Sequence, residues 1–214
     1  MTKSTHLENL LQRRPELKSS ASAIEKLIGQ LVDLYRNERV LLVAGNGGSG
    51  ADADHICGEL LKGFKSRREL EAGEKAAFES RFGEDGAKLA NSLQKGLRAV
   101  SLLSHPALLS AFANDVDPDL VYAQQLYALG RPGDMFLGIS TGGNAVNIRC
   151  ALMAARVKGI GSVLLTGNRH GSCEKYADLV VAVPESETYL VQEMHLSIYH
   201  TVCLEVEEQI FGGK

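Results

Sequence analysis

"VLLVAGNGGSGADADHICGEL", Val40–Leu60, is the stretch on which the reading of this chain turns. An apolar run ends in glycines, and a helix-compatible segment carrying acids and a histidine follows. Gly45-Asn46-Gly47-Gly48-Ser49-Gly50 satisfies G-x-G-x-x-G. A dinucleotide site also needs a second strand ending in an acid about 20 residues further on. Here the next strand-like run starts near Ala99, and Glu69 lies inside a charged stretch, so that reading fails. Two readings remain: a tight turn only, or an anion or sugar site where backbone N–H groups and the helix dipole meet a ligand. His55 and Glu59, four residues apart, share one face of the following helix, which favours a site. Asp52 and Asp54 read as solvated or capping acids.

Four more short apolar runs follow the first (Val40–Gly45): Ala99–Leu103, Met135–Ser140, Ser162–Gly167 and Leu179–Val183. They are too continuously apolar for one-faced alternation and suit strands buried on both faces of a parallel sheet. Helical periodicity lies between them. It is clearest over residues 23–35, over Asn144–Lys158 with Gly159 as its stop, and over Leu190–Glu208 after the break at Pro184. The alternation predicts an α/β fold, a doubly wound sheet with ligands at the carboxyl ends of its strands. Residues 62–96 break the rhythm. They are highly charged and helix-favouring, with Gly73, Gly83 and Gly86 as interruptions and a thin apolar stripe through Phe78, Phe82, Leu89 and Leu93. A helical insertion within one domain spanning residues 1–214 is expected.

With 214 residues, 44% of them hydrophobic, the chain can bury a full α/β core. A net charge of −3 leaves no basic excess, so no direct nucleic-acid binding is expected. No apolar run approaches a membrane span. The polar N-terminal stretch MTKSTHLENLLQRRPELK lacks the apolar core and cleavage site of a signal peptide. The four cysteines, Cys57, Cys150, Cys173 and Cys203, have no C-x-x-C spacing and read as buried, reduced thiols. A cytoplasmic location is the expectation.

A second glycine turn, Ser140-Thr141-Gly142-Gly143-Asn144, ends the third apolar run and opens a helix. Hydroxyls and backbone amides there suit a phosphate cradle; a turn of purely structural role is the other reading, and a second such turn in one sheet weighs against it. Thr166-Gly167-Asn168 reads as a simple strand exit. In the closing helix Gln192, His195 and His200 stand among apolar residues, and spacing alone does not say which histidine is functional. Glu193, Glu205, Glu207 and Glu208 read as its solvated face.

Together these residues resemble the sugar isomerase (SIS) domain family, and within it the bacterial phosphoheptose isomerases, over roughly residues 27–211. Asn46-Gly47-Gly48-Ser49 looks like the family's first substrate loop, and His55 and Glu59 stand at its His-x-x-x-Glu positions. Asn114-Asp115 matches an Asn-Asp pair. Ser140, Thr141, Gly142 and Asn144 fall in the phosphate loop, and Gln192 and His200 match the C-terminal helix. The resemblance implies a five-stranded parallel sheet flanked by helices, in a flavodoxin-like order, with an N-terminal helix. It implies a homotetramer with interfacial sites and a phosphorylated-sugar substrate. The implied reaction converts sedoheptulose 7-phosphate to D-glycero-D-manno-heptose 7-phosphate. It further implies a zinc ion held by His55, Glu59, Gln192 and His200.

Two departures stand out. The family's Ser-Thr-Ser-Gly-Asn-Ser loop reads Ser140-Thr141-Gly142-Gly143-Asn144-Ala145 here, losing two hydroxyls, and the 62–96 connection is longer than usual. For isomerisation through an enediol, Glu59 is the candidate base at carbon and His200 its acid/base partner on oxygen. Those roles compete with zinc ligation by the same side chains. A non-catalytic SIS protein that binds a sugar phosphate or a protein partner, or an isomerase for another sugar phosphate, are the alternatives.

Overall fold

The computed structural model describes residues 5–212; the first four residues of the polar N-terminal stretch lie outside them. Five strands form one all-parallel sheet: β1 Leu41–Ala44, β2 Ala99–Ser101, β3 Met135–Ile139, β4 Gly161–Thr166 and β5 Leu179–Ala182. Their spatial order is β2-β1-β3-β4-β5. Each strand expected from the sequence is present, within a residue or two of its expected ends. Successive side chains on a strand point to opposite faces. Leu41, Val43, Leu137, Ile139, Val163 and Leu165 therefore join one core, while Leu42, Phe136 and Leu164 join a second.

Helices α1 (Thr5–Arg13), α2 (Ala21–Arg36), α3 (Gly48–Leu61) and α8 (Thr188–Phe211) cover the first face. Helices α6 (Val121–Leu129) and α7 (Val146–Lys158) cover the second, with α5 (Pro106–Asp115) partly packed beside them. The chain leaves β1 for the edge strand β2 and returns to the other side of β1 as β3. That reversal is the switch point at which doubly wound sheets bind ligands. The two glycine turns, after β1 and after β3, flank it, and the helices they open cover opposite faces. Gly159, in the left-handed region at φ 67°, ends α7 as expected.

Two expectations are corrected. In the insertion, helix α4 runs over Ala72–Ser92, and of the three glycines Gly83 alone leaves helical geometry (φ 58°, ψ −138°). Gly73 sits in the first turn, and Gly86 lets the second half fold back on the first, since a Cβ there would fall 2.1 Å from the Phe78 carbonyl oxygen. On α8, Glu205 and Glu207 are not solvated but 3% exposed. Glu205 accepts the backbone N–H groups of His6 and Leu7 (2.6 and 3.1 Å) at the start of α1. Glu207 accepts those of Phe64, Lys65 and Ser66, together with the Arg68 guanidinium at 2.7 Å. Orphan amides from distant segments, which helical periodicity does not register, take both carboxylates inside.

Candidate active site

The first turn is built on glycine. Gly47 adopts φ 55°, and a Cβ on Gly45 would lie 2.3 Å from the Ser49 carbonyl oxygen. The tightness delivers Asn46, Gly47 and Gly48 to solvent at the sheet edge, whereas Ser49 is buried. Tyr122 on α6 donates to the Gly45 carbonyl (2.8 Å). Asn46 and Asn147 exchange two amide hydrogen bonds, each 2.9 Å, tying the first turn to the start of α7. Gln192 on α8 packs so closely over Gly48 that a Cβ there would lie 2.4 Å from its amide nitrogen.

The second turn is knit to the loop after β4. Asn144 donates to the Gly142 carbonyl (2.9 Å) and accepts from the Ser172 amide (2.8 Å); the Cys173 amide bonds the Gly143 carbonyl (2.9 Å). The Thr166-Gly167 exit joins this fabric through the Gly167 amide and the Thr141 carbonyl (3.0 Å). Ser140 is buried, Thr141 and Gly142 are half-buried and Asn144 is exposed. Gly142 faces open space, with nothing within 4 Å of where a Cβ would stand. The turn therefore presents backbone and Asn144 at its rim, with hydroxyls at Ser140 and Thr141 alone.

Helices α3 and α8 bring His55, Glu59 and His200 together. His55 Nε2 stands 3.2 Å from Glu59 Oε1 and 3.5 Å from His200 Nε2. Lys62 Nζ lies 3.0 Å from the other Glu59 oxygen, and the Phe64 ring tilts against His200 at 5.5 Å. Burial lowers the His200 pKa below that of an ordinary histidine, helped by His55 and opposed by Glu59, so the ring stays neutral at neutral pH. Arg68, whose side chain is fully buried, closes the end of α3 from below. It donates to the Leu60 and Glu59 carbonyls (2.7 and 3.2 Å) while gripping Glu207 of α8.

Other sequence-selected residues fall elsewhere. Asn114 and Asp115 end α5, exposed and hydrogen-bonded to each other (2.9 Å). His195 is fully buried, and desolvation takes its pKa down to about 4. Between the two histidines of α8, the structure thus puts His200 in the cluster. Asp52, read from sequence as a solvated or capping acid, is half-buried instead and accepts from the Tyr199 hydroxyl (3.1 Å). Burial raises its pKa, against the lowering effects of that bond and of His55. Tyr199, which also touches His55 Nδ1 at 3.0 Å, carried no sequence signal beyond its place before His200.

His55 Nε2, Glu59 Oε1 and His200 Nε2 suit zinc as a donor set. The two separations match ligand atoms around a tetrahedral ion, about 3.3 Å apart for bonds of 2.0–2.1 Å. Among the described residues no group of three or more His, Cys, Asp and Glu side chains is arranged ready to hold a metal ion. The three fit as donors rather than as a finished shell; the Gln192 amide lies over Gly48, at the first residue of α3 and two turns before His55.

A doubly wound sheet with glycine turns at its switch point and this His–Glu–His cluster between α3 and α8 defines a protein of the sugar isomerase class. No family model matches the chain. It is 38% identical over 191 residues to the phosphoheptose isomerase of Aneurinibacillus thermoaerophilus, covering 89% of this chain and 83% of that one. A solved phosphoheptose isomerase from Francisella tularensis superposes with a TM-score of 0.76 at 26% identity over 94% of both chains. One from Neisseria gonorrhoeae gives 0.66 at 28% identity, over 94% of this chain and 98% of that one. The chain belongs to the phosphoheptose isomerase family.

Proposed function

We propose that the chain interconverts sedoheptulose 7-phosphate and D-glycero-D-manno-heptose 7-phosphate. The observation that carries this reading is the meeting of His55, Glu59 and His200 between α3 and α8 of a chain in this family. The exposed amides and Asn46 of the first turn hold the sugar hydroxyls. The 140–145 turn holds the phosphate at the start of α7, where backbone N–H groups and the helix dipole favour an anion. Glu59 moves the proton between C1 and C2, and neutral His200 moves the proton on the sugar oxygens. Lys62 Nζ stands 3.0 Å from the Glu59 carboxylate, and the Phe64 ring packs against His200. Zinc, if bound, would be held by His55, Glu59, Gln192 and His200 and would supply Lewis-acid polarisation of the substrate oxygens in place of the proton roles of free Glu59 and His200.

Glu59→Gln keeps the shape of the side chain and removes its basicity. It is expected to lower turnover by several orders of magnitude with the melting temperature little changed; a near-normal rate would remove Glu59 from the role. Chelation to zinc-free protein is expected to abolish turnover and zinc to restore it, whereas full activity without zinc contradicts the metal's part.

Gly142 and Ala145 favour a second reading, an isomerase of the same mechanism acting on a different sugar phosphate, which a panel of ketose phosphates distinguishes. A tetramer with interfacial sites accords with Asn114 and Asp115 lying exposed away from the cluster. The expected solution mass is four times 23.1 kDa. A cytoplasmic location accords with the four free thiols. No helix among the described residues is long and apolar enough to cross a membrane.

A further inference from the structure

The Tyr199 hydroxyl lies between two partners, Asp52 Oδ1 at 3.1 Å and His55 Nδ1 at 3.0 Å. It has one proton to give. An ionised carboxylate only accepts hydrogen bonds, whereas a neutral imidazole has one nitrogen that donates and one that accepts. The hydroxyl therefore donates to Asp52, and its oxygen accepts from His55. In the neutral ring that requires the proton of His55 to sit on Nδ1, leaving a bare lone pair on Nε2. Nε2 is the atom that faces Glu59 Oε1 at 3.2 Å and His200 Nε2 at 3.5 Å. A lone pair directed at a carboxylate oxygen is repulsive, and a cation between them turns the repulsion into attraction.

We propose that Asp52 and Tyr199 are positioning residues that fix the tautomer of His55, so that its Nε2 lone pair is presented to a cation shared with Glu59 and His200. The cation's identity as zinc rests on the functional reading above; the tautomer does not. The arrangement is rigid on both sides. Asp52 and His55 are three apart on α3, and Tyr199 is 3% exposed, with its ring edge-on to His55 at a centroid distance of 5.4 Å. Second-sphere carboxylates that act on a ligating histidine orient the ring and raise its basicity, and their loss typically costs 10–100-fold in metal affinity. Here the carboxylate acts through a phenol rather than directly.

The test uses the full chain in two states. In metal-free wild type, long-range ¹H–¹⁵N correlation, with the His55 signals assigned by their loss in a His55→Gln variant, is expected to show protonated Nδ1 and unprotonated Nε2. A proton on Nε2 of His55 would overturn the proposal, with no variant needed. Tyr199→Phe keeps the buried ring and deletes the relay. It is expected to shift His55 toward the Nε2–H form and to weaken zinc binding 10–100-fold in competition with a chromophoric chelator. Asp52→Asn, which can donate to the phenol oxygen and release the hydroxyl proton to Nδ1, is expected to act in the same direction and serves if the first variant does not fold. Unchanged tautomer and unchanged zinc affinity in a folded variant refute the relay. Wild type that binds no zinc refutes the metal reading instead, and the metal-free spectrum still decides the tautomer.

Discussion

Gly142 and Ala145 are the residues at which this chain parts from the phosphate loop it resembles. Space around position 142 is open, and its backbone lies outside the left-handed region, so a side chain enters without strain. Each hydroxyl restored opposite a phosphate contributes about 0.5–1.5 kcal/mol. Gly142→Ser and Ala145→Ser are therefore each expected to lower the KM for the sugar phosphate roughly 2- to 10-fold at nearly unchanged kcat; an unchanged or higher KM would mean that the turn does not meet the phosphate. His195 gives a residue-scale prediction about stability. It is fully buried, its pKa is about 4 when folded, and an unfolded histidine titrates near 6.5. Between those values the unfolded chain binds the extra proton, so stability holds above about pH 6.5 and falls as the pH drops toward 4, by up to ~3 kcal/mol. Urea titrations at pH 7.5 and 5 should show that loss, and His195→Leu should show less of it; an identical pH slope in the variant contradicts the assignment.

Residue identity was legible where a local period carried it. His55 and Glu59 are one helical turn apart, and any helix puts them on one face. His195 and His200 could not be separated in that way. One points into the core beneath the sheet edge and the other toward α3, and the difference depends on which side of α8 the sheet covers. Asp52 was hidden for a similar reason, since its partner Tyr199 lies 147 residues away.

At the scale of elements, α3 and α8 are joined by the buried Arg68–Glu207 pair and the loop that Glu207 caps. Burial alone would raise the Glu207 pKa; the three amides and Arg68 outweigh it and hold the carboxyl below its ordinary range. Removing one partner of such a pair leaves a buried charge uncompensated, at about 3–5 kcal/mol. Arg68→Met is expected to lose stability on that scale in urea titration and, because Arg68 also holds the Glu59 carbonyl, to lower kcat more than it raises KM. A cost below ~1 kcal/mol would show that the pair is incidental. The insertion shows what sequence could not give: its helical character was plain from composition, while its fold-back at Gly83 depends on one residue in the left-handed region. Gly73 and Gly86 looked equivalent to it in sequence, but glycine in a helix is tolerated and only contacts show which one bends.

Across the whole molecule, topology was the most legible feature. Continuous apolar runs separated by helical periods admit few arrangements, and the right-handed crossover rule prunes those further. The reversal between β1 and β3 then places both glycine turns at one edge, while α3 and α8 carry the cluster. Partnership between chains was not legible at that scale. On the insertion, Phe82 is 64% exposed and Leu89 48%, the apolar stripe that the sequence displayed without saying what meets it. The most direct test of the whole account is incubation of the zinc-loaded protein with sedoheptulose 7-phosphate in deuterium oxide, with the product resolved by NMR. The account predicts D-glycero-D-manno-heptose 7-phosphate carrying deuterium at C2, formed by wild type and not by Glu59→Gln; absence of the aldoheptose at equilibrium with wild type would contradict it.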